Sequence, residues 1–109
     1  EVYEIDGPYF FGIANKFDDI SRRTHSDEQK VRIIRMRKVS FIDSTGIHNL
    51  QNLCEMSHRE GTHIVLSGVN PNVYAVLEHN GFTTLLGKDH ICPNINIALD
   101  RAAEIVKRP

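Results

Sequence analysis

Apolar and polar side chains change rhythm several times along this chain, and each change predicts an element. Val2-Tyr3-Glu4-Ile5-Asp6 alternates apolar with polar, the period of a strand with one wet face, which places it at a sheet edge. Gly7-Pro8 marks a turn, and Tyr9-Phe10-Phe11 predicts a second strand paired antiparallel to the first across so short a connection. Asn15 is placed to cap a short helix that turns Phe17 and Ile20 inward, and Thr24 to Lys30 reads as a polar loop. Val31-Arg32-Ile33-Ile34-Arg35-Met36 is strand-like with apolar residues on both faces. The interleaved Arg32 and Arg35 predict an incompletely covered face, read first as aliphatic stems with guanidinium heads in water and second as a cationic stripe for a partner.

The middle of the chain carries the strongest periodicity. An apolar, strand-like run ends in Val39-Ser40-Phe41-Ile42, a small polar cluster follows in Asp43-Ser44-Thr45, and a helix begins with Gly46 in its first turn. From Ser44 onward Ile47, Leu50, Leu53, Cys54 and Ser57 recur at spacings of three and four, and Gly61 is the natural stop. His63 to Leu66 predicts a short buried strand. Asn70-Pro71 then opens another helix, with Asn70 as cap, Pro71 in the first helical position, and Val73, Val76 and Leu77 inward. Asn80-Gly81 closes that helix, and Phe82 to Leu86 predicts a last short strand. After a loop from Gly87 to Pro93, Asn94 caps a final helix whose stripe is Ile95, Ala98, Leu99, Ala102, Ile105 and Val106. Helices alternating with strands predict an α/β domain with a mixed, mostly parallel sheet of four to five strands and about four helices.

Composition narrows the function classes. The 109 residues are 40% hydrophobic and 25% charged with a formal net charge of −1, which describes one globular domain and gives no support to nucleic-acid binding. No apolar run approaches the roughly 20 residues of a membrane-spanning helix. The chain starts at Glu1 directly on a strand pattern, as a domain cut from a longer polypeptide would. Its two cysteines, Cys54 on a buried helical face and Cys92 in a loop, read as reduced thiols in a chain that needs no bridge.

Catalytic and cofactor patterns are largely missing. The six histidines show no metal-ligand spacing, and no Gly-x-Ser-x-Gly elbow is present. Gly81 to Asp89 imitates a phosphate loop, but it has one residue too many between its glycines and an acid where Ser or Thr binds magnesium. His48 stands nearest Ser44 in sequence and reads as a surface residue. The pattern argues for no enzyme, no catalytic residue and no metal. What remains is the helix entrance at Asp43, Ser44, Thr45 and Gly46. Asp43 and Ser44 are natural caps there, and the positive end of the helix dipole would attract an anion or a partner.

At Phe41-Ile42-Asp43-Ser44-Thr45-Gly46 the chain resembles a STAS domain, the module shared by sulfate-permease (SulP) type anion transporters and bacterial anti-sigma-factor antagonists. The likeness spans essentially the whole sequence. Ile5-Asp6-Gly7-Pro8-Tyr9-Phe10-Phe11-Gly12, Ile34-Arg35-Met36-Arg37, Gly81-Phe82 with Leu86-Gly87, and Ala98-Leu99-Asp100-Arg101-Ala102 are similar to the transporter branch. The resemblance implies a non-catalytic regulatory domain at the cytoplasmic face of the inner or plasma membrane. It would dock on the membrane portion of its own transporter, on a second copy, or on a soluble protein such as acyl carrier protein, and some relatives imply guanine-nucleotide binding. The alternative it implies is a free-standing anti-sigma-factor antagonist. In the antagonists the hydroxyl residue before the motif's glycine is phosphorylated, which marks Thr45, with Ser44 beside it, as phospho-acceptors.

Overall fold

The computed structural model describes residues 2–5 and 30–107, arranged as a parallel sheet with helices on both faces. Three strands, β1 (Val2–Glu4), β2 (Lys30–Arg35) and β3 (Thr62–Ser67), lie in the order β1-β2-β3. Both pairings are parallel, with Val2 opposite Ile33 and Ile33 opposite Val65. Helices α1 (Ser44–Arg59), α2 (Pro71–His79), α3 (Phe82–Leu85) and α4 (Ile95–Lys107) follow in chain order. The α/β class and the edge position of β1 among the described strands match the sequence reading. The hairpin partner at Tyr9 to Phe11 and the helix after Asn15 lie outside the described residues.

Alternation along β2 and β3 sorts the core into two layers. Ile34, Ile64 and Leu66 face α1 and α2, where Leu50, Leu53, Cys54, Val73, Leu77 and Phe82 complete one apolar cluster. Val31, Ile33 and Val65 face the other way and pack with Cys92, Ala98 and Ile105 beneath α4. A sheet covered on both faces calls for near-continuous apolar strands; β3 comes close with Ile64-Val65-Leu66, and β2 departs from it at Arg32 and Arg35.

Four sequence expectations are corrected. Arg32 is 1% exposed and does not send its head into water. It lies on the face that α1 covers, and its Nη1 sits 3.7 Å from the carboxylate of Glu60, which ends that helix. A cation beside a helix C-terminus also meets the negative end of the dipole.

Phe82 to Leu86 is no strand but the single-turn helix α3. Gly81 adopts φ +83° and its carbonyl accepts from Thr84 and Leu85 N–H, so the backbone bonds locally instead of joining a sheet edge. Fully buried Phe82 anchors the turn. The sheet is extended elsewhere, by a parallel bridge between Leu66 and Ile91 in which Cys92 N–H donates to Leu66 C=O at 2.8 Å.

Val39 to Ile42 is an irregular connection, with Val39 and Ile42 buried and Ser40 and Phe41 exposed. On α4, finally, Ala98 and Ile105 are buried whereas Leu99 and Val106 are exposed, because the inward stripe is only as wide as the sheet beneath it. Leu99 and Val106 instead line an apolar groove with Val2, Val31 and Ile33 at the β1 side.

Candidate functional site

The connection from β2 to α1 runs over the carboxyl ends of the strands, where open parallel sheets place their sites. Met36 N–H donates to Ser67 C=O at 2.7 Å, tying the exit of β2 to the exit of β3. Gly68, at φ +69°, lies against the turn that follows β2 so closely that a Cβ there would come within about 3.0 Å of Arg37 N. Past this pinch, Val39 and Ile42 plug into the core and leave Phe41 57% exposed beside the helix entrance.

At the entrance itself Asp43 is the cap. Its backbone is extended, its Oδ1 accepts from Gly46 N–H at 2.9 Å, and its carbonyl accepts from Ile47 N–H at 2.9 Å. Cap side chains of this kind satisfy a donor that the helix leaves over. Asp43 is half-buried, Gly46 is buried in the first turn, and Ser44 and Thr45 stand exposed. The four residues singled out from the sequence therefore share one turn but divide its work. Asp43 and Gly46 build it, and the two hydroxyl residues are displayed. Asp43 also places a negative charge where an outside anion would sit, so anything anionic at this turn shares the dipole with that carboxylate. A shallow groove of about 280 Å³ runs from this turn between α1 and α2, over Ile47, Gln51, Val76 and Asn80.

Asn70 joins the site although the sequence revealed only its capping role. Its Oδ1 accepts from Val73 N–H at 2.8 Å, which caps α2 as expected. Its Nδ2 donates to Val39 C=O at 3.1 Å and to Ser40 C=O at 3.4 Å. A half-buried carboxamide has two N–H bonds to place, and that surplus was the signal available in the sequence. His48 is exposed on α1, with Nε2 3.3 Å from Asn52 Nδ2, as a surface residue. Among the described residues no group of three or more His, Cys, Asp or Glu is placed to hold a metal ion.

Both cysteines are free and buried. Burial, reinforced by Glu55, pushes the Cys54 thiol up to about 12, which leaves it protonated and unreactive. Burial also raises Cys92, whose Sγ donates to Asp89 C=O.

Against known proteins, the family described as the STAS domain matches residues 1–98. The sequence is 30% identical to sulfate transporter 1.2 of Arabidopsis thaliana over 98 residues, 80% of this chain but 15% of that relative's length. Among solved structures, a sulfate transporter family protein from Wolinella succinogenes superposes with a TM-score of 0.82 at 38% identity, covering 99% of this chain and 88% of that one. The SulP transporter STAS domain of Vibrio cholerae gives a TM-score of 0.83 at 31% identity, covering 94% and 80%.

Proposed function

Given that this chain belongs to the STAS domain family, we propose that it is the regulatory, non-catalytic domain of a SulP-type anion transporter, acting at the cytoplasmic face of the membrane. The chain spans about 15% of the length of the Arabidopsis relative, which leaves ample sequence there for a membrane portion. No helix among the described residues is long and apolar enough to cross a membrane. In this reading the domain works by contact with the membrane portion of its own transporter. Carrier proteins, a second copy and guanine nucleotides are further occupants suggested by the family resemblance.

The observation that carries the reading is the exposure of Phe41, Ser44 and Thr45 at the α1 entrance. An exposed aromatic near two hydroxyls supports a recognition role, since aromatic side chains are enriched at the centres of protein contacts. Thr45 is the phospho-acceptor in this proposal, with Ser44 next to it. A phosphate there would gain from the helix dipole, lose to the Asp43 carboxylate nearby, and turn a near-neutral contact patch anionic.

The test uses the full transporter polypeptide. A reactive thiol introduced as Ser40→Cys, next to an intact Phe41, is expected to cross-link to the membrane portion. Thr45→Glu is expected to lower both the cross-link yield and anion uptake several-fold at equal membrane abundance. A parent gene without membrane spans, or equal uptake and cross-linking with and without Thr45→Glu, would sink the proposal.

A further inference from the structure

We propose that His90 is a proton-operated latch that fastens α4 to the edge of β3, and that acidification loosens this attachment while the rest of the fold holds. His90 ends a short 3₁₀ turn (Lys88–His90) between α3 and α4. Its Nδ1 lies 3.2 Å from Ile64 C=O, and its Nε2 lies 3.4 Å from Arg101 Nη2. A carbonyl only accepts and a guanidinium only donates, so the geometry admits one form of the ring. Nδ1 carries the hydrogen and Nε2 offers its lone pair. That form is neutral.

The ring joins three elements through these two bonds. Ile64 lies on the β3 edge, two residues before the Leu66–Ile91 bridge, so the imidazole N–H takes the place of a strand partner there. Arg101 belongs to α4 and is held on its other side by Glu104 at 2.9 Å. Protonation puts a second N–H on Nε2, opposite a group that also only donates, and sets two cations side by side.

The surroundings act mostly in the same direction. His63 of β3 meets the ring edge-on with centroids 6.2 Å apart. His58 and Cys54 of α1 line the same cavity of about 410 Å³. Lys88 and Asp89 share the turn, while Arg101 and Glu104 approach from α4. Burial first, then Arg101, lower the proton affinity of the ring, and His63 adds to this, while the Ile64 carbonyl and Asp89 work against it. A histidine whose folded affinity for a proton lies below its unfolded value contributes stability in full above the unfolded value, near pH 6.5. That contribution is lost as pH falls from there toward the folded value.

Amide hydrogen exchange of the chain at about pH 7.5 and about pH 5.5, corrected for intrinsic rates, tests the latch. Protection across residues 88–92 and α4 is expected to fall at the lower pH while Leu50 and Leu53 keep theirs. Because pH 5.5 lies about one unit below the unfolded value, the fall in protection has a ceiling of about tenfold. His90→Gln retains one donor and one acceptor but no titration, and its α4 is expected to exchange alike at both values. Acid-independent exchange in the parent chain, or an equal acid response in His90→Gln, would overturn the latch. Should that variant not fold, ring signals of the parent chain decide. An inflection below the free-imidazole value with hydrogen on Nδ1 supports the latch, and an ordinary inflection or hydrogen on Nε2 refutes it.

Discussion

Asp43 shows how much of the candidate site rests on single side chains. Its carboxylate satisfies Gly46 N–H, so Asp43→Ala is expected to cost about 1 kcal/mol, the usual loss for a helix cap. Ser44→Ala, at an exposed position with the cap intact, should leave stability within about 0.5 kcal/mol of the parent. Urea denaturation of the two variants checks both. An equal loss in each would mean that Asp43 is not the cap. The residue scale is also where the sequence was least readable. Asp43, Asn70 and Asn94 were legible as caps because a short polar side chain before an apolar period has one economical use. The buried head of Arg32 was not legible, since its destination depends on where α1 ends and Glu60 stands, a distance no local pattern encodes.

Helices were more legible than strands, and the reason is periodicity. The spacing of Ile47, Leu50, Leu53, Cys54 and Ser57 fixed both the extent and the inward face of α1, and all five are buried. Phe82 to Leu85 offered too few residues for a period, and its apolar content fits a strand or a helical turn equally well. The outer limit of the α4 stripe was unreadable for another reason: width is set by the sheet below, not by the helix. A paired comparison tests these faces. Leu50→Asp places an unpaired carboxylate where the parent residue is 0% exposed and should abolish folding, because that cost exceeds what a small domain has in reserve. Leu99→Asp, at a site 48% exposed, should keep native circular dichroism and cooperative melting. Similar behaviour of the two would mean that the helix faces are wrongly assigned.

For the molecule as a whole, the two-layer core makes thiol chemistry a gauge of global opening. Cys54 belongs to the layer under α1 and Cys92 to the layer under α4. With its thiol at about 12 rather than 9.0, Cys54 holds about a thousandfold less thiolate than an ordinary cysteine near neutral pH. Alkylation followed by mass spectrometry should therefore leave Cys54 unmodified in buffer and modify it fully in denaturant. Prompt labelling in buffer would show that this layer is open. The α/β class was legible at this scale because alternating elements have few ways to pack. The bridge from Leu66 to Ile91 was not, since Ile91 and Cys92 sit in a stretch with no strand period at all.

The side chain of Asn70 holds two helix entrances with one group, gripping the approach to α1 through Val39 and Ser40 and the start of α2 through Val73. The segment that presents Phe41 and the start of α2 thus share one fastening. Asn70→Ala is therefore expected to loosen both helix entrances at once, seen as faster amide exchange at Gly46 and Val73 together.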